Sequence, residues 1–303
     1  MRLYCGWTYK VRSNIGVVFM LLVGLLNLTG CAQKQAVPLS VELADEPSRE
    51  IYIVATVIPV VESIGSQLVQ NTPIYMSFLP PPKYSVKRVS GWLSRQPPES
   101  YSKADAVAGI SAIWSGVDVY PALREKNIRV VPIDMAHALI PGGERVATVR
   151  ITGTKGEQEN PGYFWLNPSN ALLMTGVMAR DLSRLWPEHA EQLQKNSAEM
   201  SRALRMLQIE MDNRLLDLGV MQVVVDNASL TGLASASLLP IISLEEADKN
   251  KLSTLFITGK KRLKKKSLLP KNYKVWSVDD FSKVRSGRFI ERWNDNLNSV
   301  PLS

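Results

Sequence analysis

Short apolar runs alternate with amphipathic segments along much of the chain. Apolar residues dominate the runs at residues 51–57, 74–79, 106–110 and 129–133. Val60, Ile64 and Leu68 follow the first run at the i+4 spacing that puts apolar side chains on one face of a helix. Strands that alternate with helices are typical of βαβ units, in which neighbouring strands are parallel. The pattern therefore predicts an α/β lobe with a mainly parallel sheet over residues 51–166.

A second set of alternating segments follows Gly219. Apolar runs lie at residues 222–225, 241–244, 255–257 and 274–278, and helical patterns lie at 228–236 and 283–297. These shorter elements have the same order as those of the first lobe. They predict a second α/β lobe over residues 220–303.

The strongest helical pattern of the chain lies between the two predicted lobes. Asn167 can accept hydrogen bonds from the free amides of a first helical turn, and Pro168 fits the first helical position. Apolar stripes continue to Gly219, a residue suited to the position after a helix. A helix over 188–218 would be roughly 45 Å long. We predict that residues 167–219 form a long rigid spine joining the lobes; a coiled-coil partner is a competing use, although the spacing lacks sustained heptads.

The first 30 residues are built like a secretory signal. Basic residues precede an apolar stretch of 14 residues at 15–28, which is shorter than the roughly 20 residues that span a bilayer. The ending Leu-Thr-Gly-Cys at 28–31 resembles the lipobox of bacterial lipoproteins, where cleavage exposes the cysteine and its thiol is acylated. We expect Cys31 to carry a lipid anchor. An ordinary signal peptide cut elsewhere and an uncleaved anchor are the alternatives.

Two further segments lack regular periodicity. Glycine and proline are frequent in residues 140–162, which predicts a long loop with a short strand at 146–151. Residues 31–50 resemble a tether. The predicted organisation is a signal peptide, this tether, an N-terminal lobe, a spine helix and a C-terminal lobe.

Charge and cysteine usage exclude several classes of protein. The chain has 36 basic and 28 acidic residues, a net charge of +8. Six basic residues lie within 260–266, which predicts a solvated surface or, alternatively, a face that docks on anionic lipid or a partner. We expect no nucleic-acid partner, because an exported protein meets little nucleic acid. Cys5 would be removed and Cys31 acylated, so the folded part would contain neither disulfides nor cysteine-ligated zinc.

The sequence YFWLNPSNA at residues 163–171, followed by PEH at 187–189, is similar to substrate-binding lipoproteins of zinc and manganese ABC importers. Members of that family carry His-x-Trp-Leu-Asp-Pro before a rigid spine helix. Further similar segments are PPP at 80–82, ADAV at 104–107 and Asp-Asn-Ala at 226–228. The resemblance implies two lobes that capture a divalent metal ion between them and present it to an ABC permease.

The resemblance also implies positions for the metal ligands. Family members usually hold the ion with three histidines and a carboxylate. The matching positions here are Lys83 or Tyr84, Tyr163 and Asp226 for the histidines, and Asp279 for the carboxylate. None of the three histidines is present, and zinc sites rely on imidazole or thiolate. The oxygen donors of Tyr163, Asp226 and Asp279, the candidate metal ligands, would suit a harder ion.

Other residues near the expected cleft leave the ligand open. His137 follows the predicted strand at 129–133 on the side where the cleft should open, so it is a candidate contact. Lys83 would repel a cation, and its ammonium group could pair with Asp226 or Asp279 in place of a metal. Aromatic residues could line a pocket for an organic ligand or a metal chelate, or could pack inside the lobes. These residues are Tyr84, Trp92, Trp114, Tyr163 and Trp165.

These observations favour a binding protein over an enzyme. The sequence contains no GxSxG elbow, Walker loop, HExxH motif or cysteine nucleophile. We predict a lipid-anchored, periplasm-facing or cell-surface substrate-binding protein of a metal-ion-type ABC importer. The candidate ligand contacts are Tyr84, His137, Tyr163, Asp226 and Asp279. The first alternative is an accessory or scaffold lipoprotein with a degenerate metal site; an extracytoplasmic hydrolase is the second, and the missing nucleophiles and bases argue against it.

Overall fold

A computed structural model describes residues 50–96, 103–148, 162–259 and 269–302. The first lobe contains a four-stranded sheet in the order β2-β1-β3-β4, in which every neighbouring pair is parallel. Its strands are β1 (Tyr52–Thr56), β2 (Ile74–Phe78), β3 (Ala106–Gly109) and β4 (Val131–Asp134). The carboxyl ends of the strands therefore meet at one edge of the sheet.

Three helices connect these strands. They are α1 (Pro59–Leu68), α2 (Val89–Leu93) and α3 (Tyr120–Lys126). Val60, Ile64 and Leu68 of α1 are fully buried, which confirms the predicted apolar face of this helix. The first lobe is thus a series of βαβ units, as the alternating pattern predicted.

Two long helices, α4 (Pro168–Leu185) and α5 (Ala190–Asp217), follow and pack side by side. The predicted start is confirmed, because the Asn167 side chain accepts a hydrogen bond from the Ser169 N–H at 2.9 Å. Gly219 has φ +61°, a left-handed conformation that glycine adopts without strain. A short 3-10 turn at Pro187–His189 reverses the chain between the two helices.

The second lobe contains a parallel three-stranded sheet in the order β5-β6-β7. Its strands are β5 (Gln222–Val225), β6 (Thr254–Gly259) and β7 (Tyr273–Val278). Its helices are α6 (Thr231–Ala236), α7 (Leu244–Asn250) and α8 (Phe289–Asn298), and a 3-10 turn at Ala228–Leu230 precedes α6. Together the lobes confirm the predicted α/β class with parallel sheets.

Helix α5 is bonded to both lobes through its two ends. Near its start, the Asn196 Nδ2 donates to the carbonyls of Leu68 and Gln70 at 2.7 and 2.8 Å. Near its end, the Arg214 Nη1 donates to the Leu297 carbonyl of α8 at 2.6 Å. A helix of 28 residues is about 42 Å long. These contacts confirm the long helix as the element that joins the lobes.

Some element boundaries differ from the sequence pattern. The run at 241–244 forms no strand: Ile241 makes a single parallel bridge with Val223, and α7 begins at Leu244 because Ser243 caps it. The last helix begins at Phe289 and not near residue 283, because the Glu291 carboxylate accepts the Arg288 N–H at 2.8 Å and fixes the start there.

Several predictions concern residues outside the described ranges. These are the signal peptide, Cys31, all of the tether before residue 50, the basic segment at 260–266 and much of the 140–162 loop. Of the predicted strand at 146–151, residues 146–148 are described and form no strand; Arg145 makes an antiparallel bridge with His137 just before them. In the described ranges, no helix has the length and apolar character needed to cross a membrane.

Candidate functional site

A polar pocket of about 230 Å³ lies at the seam between the two lobes. Gly259 and Val278, the last residues of β6 and β7, line it, so it lies at the carboxyl ends of parallel strands, where ligands of α/β proteins bind. Its polar lining consists of three cations, one carboxylate, three serines, an asparagine and a tyrosine. They are Lys87, Lys283, Arg285, Asp280, Ser85, Ser229, Ser282, Asn227 and Tyr163.

Tyr163 is the candidate ligand residue that lines this pocket. The residue is 3% exposed, and its ring stacks on that of Trp165 with 4.7 Å between ring centroids. Its backbone N–H donates to the Ser229 carbonyl at 2.8 Å, which fixes it against the second lobe. Burial, followed by the charge of Asp280, raises the pKa of the Tyr163 phenol, while hydrogen bonds with the Ser229 and Ser282 side chains act in the opposite direction. The phenol is therefore a neutral group at physiological pH.

Asp279 is paired with an arginine from α8. The Arg292 Nε donates to the Asp279 Oδ2 at 3.0 Å, and both side chains are 4% exposed. The Arg285 Nε lies 3.8 Å from the other oxygen, Oδ1, which also accepts the Phe281 N–H. Asn296 holds the backbone of Asp279 on both sides, accepting its N–H and donating to its carbonyl. The carboxylate implied as a metal ligand is thus surrounded by cations.

The remaining candidates are not part of the pocket lining, although Tyr84 and Asp226 are each followed in the sequence by a residue that is. Asp226 is half-buried at the end of β5, and its Oδ2 accepts from the Thr258 hydroxyl at 3.1 Å. Tyr84 is half-buried and packs against the hydrophobic core. His137 is half-buried after β4, in its bridge with Arg145. Lys83 is exposed. The cation that pairs with Asp279 is that of Arg292 and not that of Lys83.

The tryptophans considered as pocket residues pack inside the protein. Trp92, Trp114 and Trp165 are all buried within the main hydrophobic cluster. Trp165 also bonds across the seam, where its Nε1 donates to the Asp280 carbonyl at 3.0 Å. For these residues, the packing interpretation is confirmed.

The donor set of the pocket differs from that of a metal centre. Within residues 50–96, 103–148, 162–259 and 269–302, no three histidine, cysteine, aspartate or glutamate side chains group so that they could hold an ion. Lysine and arginine carry only donors and cannot coordinate a cation. Most polar groups of the pocket can therefore donate a hydrogen bond to a ligand, and few can only accept one.

Sequence reasoning missed most of the polar lining. Lys87, Ser229 and Arg285 belong to no motif, and their segments meet only when the lobes are placed together. Arg292 did carry a signal. It lies on the face of α8 that buries Phe289, Trp293 and Leu297, and a charge on a buried helical stripe indicates a buried partner.

The family model described as "Zinc-uptake complex component A periplasmic", ZnuA, matches residues 102–255, about half of the chain. None of the curated protein sequences matches the chain. The family match includes the segment that carries Tyr163 and the start of the spine helices.

Solved structures show the same fold at low sequence identity. A crystal structure of ZnuA is 16% identical with a TM-score of 0.57, and the match covers 83% of this chain and 100% of that chain. FpvC from Pseudomonas aeruginosa in complex with Mn²⁺ is 14% identical, with a TM-score of 0.61 and coverage of 82% and 96%. Zn(II)-bound AdcA from Streptococcus pneumoniae is 16% identical, with a TM-score of 0.59 and coverage of 84% and 59%.

Proposed function

Since the chain belongs to the ZnuA family of periplasmic metal-uptake components, we propose that it is the lipid-anchored substrate-binding protein of an ABC importer. Proteins of this family bind solutes and are not enzymes. In this proposal, Cys31 holds the protein at the outer side of a membrane, and the seam pocket captures the ligand and presents it to a permease. The cargo contains a divalent metal ion, either free or as a chelate.

The observation that carries this proposal is the position of Tyr163. The resemblance implies that it stands at a ligand position before the spine helix, and in this chain it lines a pocket that both lobes contribute to. We propose Tyr163 as a direct ligand contact. Tyr84, Asp226 and Asp279 each precede a pocket residue in sequence, so we propose that they support the pocket from its margins. His137 remains a candidate contact on the side of the first lobe.

The proposal is tested on protein purified from its own cells without a chelator. Native mass spectrometry and metal analysis of the same sample should find one small ligand or ion per chain. We expect Tyr163→Phe and Ser229→Ala to lower this occupancy, and Tyr75→Phe, a change at an exposed tyrosine of β2, to leave it unchanged. A deletion strain should fail to accumulate the identified ligand. Normal accumulation in that strain would contradict the importer.

One observation favours the second function, an accessory or scaffold lipoprotein with a degenerate metal site. The Arg292–Asp279 ion pair places a fixed cation beside the carboxylate implied as a metal ligand. This function predicts an empty protein from native cells and normal uptake in the deletion strain. The same two measurements therefore distinguish the two functions.

A further inference from the structure

We infer that the seam pocket takes a small anion bearing carboxylate or phosphate oxygens, and that any metal it carries arrives inside an anionic chelate. The inference rests on the proposed function, because it names the class of ligand for the same pocket. Three features of the pocket carry it: its charge, its hydrogen-bond donors and the ion pair behind it.

The first feature is the charge of the lining. The lining has three cations, Lys87, Lys283 and Arg285, and one carboxylate, that of Asp280; Arg285 also lies 3.8 Å from Asp279 behind the wall. Among the described residues, the Lys87 and Lys283 ammonium groups form no ion pair, and Lys87 lies 5.8 Å from the centroid of the Tyr163 ring. These positive side chains would repel a cation in the same pocket, and the repulsion is stronger in a cleft than in open water. A bare divalent ion would be repelled, whereas an anion would be attracted.

The second feature is the supply of neutral donors beside these cations. Ser85 offers a hydroxyl group on the pocket wall, beside the Ser229 and Ser282 hydroxyls that hydrogen-bond with Tyr163. The Asn227 Oδ1 already accepts the Ser229 N–H at 3.0 Å, which leaves the amide NH₂ of Asn227 as the group that can meet a ligand. Hydroxyl and amide donors together with ammonium and guanidinium groups match the oxygens of a carboxylate or a phosphate.

The third feature is the ion pair beneath the pocket. Asp279 would be the strongest attraction for a cation, but Arg292 and Arg285 neutralise it from two sides. Arg292 is itself held by the Phe281 ring, 4.3 Å from its guanidinium carbon, and by the Ser63 hydroxyl of α1. The Arg292 guanidinium is therefore held in place beside Asp279. Its charge compensates the negative charge that a metal ion would need from this carboxylate.

Calorimetric titration of the purified full chain, stripped of native ligand, tests the inference with four probes. These are citrate, inorganic phosphate, the zinc–citrate complex, and zinc or manganese chloride. Binding of citrate or phosphate alone, or of the zinc–citrate complex, supports the inference, and the difference between them separates a free anion from a chelate.

The matched variants are Lys87→Gln with Lys283→Gln, and Lys195→Gln at an exposed position of α5 as the control. We expect the pocket double variant to weaken anion binding by about tenfold or more, since two charge-assisted contacts are lost, and the control to bind like the parent protein. Arg285 is left unchanged because it also contacts Asp279.

Stoichiometric binding of Zn²⁺ or Mn²⁺ from chloride, without an anion, would overturn the inference and leave the proposed capture function standing. Anion binding that is equal in the pocket variant and the control would overturn it as well, as would the absence of binding by every probe. Uptake in the deletion strain decides the proposed function itself. A wrong ligand class can therefore be distinguished from a wrong function.

Discussion

The Arg292 guanidinium and the Asp279 carboxylate form a buried ion pair, with 3.0 Å between Nε and Oδ2. It joins the last helix to the end of β7, directly behind the pocket wall formed by Asp280 and Ser282. We expect Asp279→Asn to lower the free energy of unfolding by about 3–5 kcal/mol, because it leaves the Arg292 charge buried without its partner. Urea denaturation measures this change.

The control for this variant is Glu245→Gln, which makes the same chemical change in an exposed pair with Lys249. Exposed pairs contribute about 0–1 kcal/mol, so this variant should stay close to the parent protein. Equal stability of the two variants would show that the Asp279 pair is not the buried element described here.

Gly232 of α6 lies against the backbone that carries Tyr163. A Cβ at this position would collide with the Tyr163 carbonyl oxygen and would approach the Phe164 Cα to 3.0 Å. We expect Gly232→Ala to destabilise the protein by about 1–3 kcal/mol, since backbone atoms cannot move aside as a flexible side chain can. It should also weaken ligand binding, because Tyr163 would be displaced.

Gly176, on the exposed side of α4, provides the matched comparison. Apart from its chain neighbours and the backbone of its own helix, no heavy atom lies within 4 Å of a Cβ built there, so Gly176→Ala should stabilise the helix by about 0.5–1 kcal/mol. Thermal unfolding of both variants checks the pair. A destabilised Gly176→Ala protein, or a Gly232→Ala protein that is unchanged in stability and binding, would contradict the packing at the seam.

Because Lys87, Lys283 and Arg285 line the pocket, a bare zinc or manganese ion should not displace the proton of the Tyr163 phenol, whose pKa burial raises. Ultraviolet difference spectra should therefore show no tyrosinate absorbance on metal addition. A tyrosinate band that appears with the metal and disappears in Tyr163→Phe would instead establish Tyr163 as a metal ligand.

The same pKa has a consequence for stability in alkali. Folding raises the pKa of this phenol, so its contribution to stability is complete below the ordinary tyrosine pKa of about 10 and is lost as the pH rises through the folded value. The loss of stability of the parent protein above that pH should be reduced in Tyr163→Phe. Identical alkaline unfolding of both proteins would contradict the burial of the hydroxyl.

Cys31 is proposed as the lipid site, and Cys31→Ser tests this directly. We expect the parent protein to incorporate labelled palmitate and to remain in the membrane fraction. The variant should incorporate no label, since the thiol that would carry the lipid is missing. A parent protein that incorporates no label, or a variant that is labelled as the parent is, would contradict Cys31 as the lipid site.

The sequence predicted the fold well because the fold depends on local periodicity. Alternating apolar runs specify parallel strands joined by helices, and the side chain of Asn167 with Pro168 specifies the start of α4. Helix α8 begins later than the sequence pattern predicts, because the turns at Asp279 and Asp280, whose carboxylates accept backbone N–H groups, have no apolar period.

The site was predicted less completely. Its residues come from segments around Lys87, Tyr163, Ser229 and Arg285, and which of them meet is decided by how the lobes pack, which no local pattern contains. The resemblance pointed to Tyr163, which lines the pocket, but the sequence alone did not show that Arg292 would lie beside Asp279.

A crystal structure of the protein purified with its native ligand is the direct test of ligand capture at the seam. We predict ligand density in this pocket, in contact with Tyr163 and bounded by Ser229 and Asn227. Ligand density elsewhere, for example in the groove between α4 and α5, with an empty seam pocket, would contradict it.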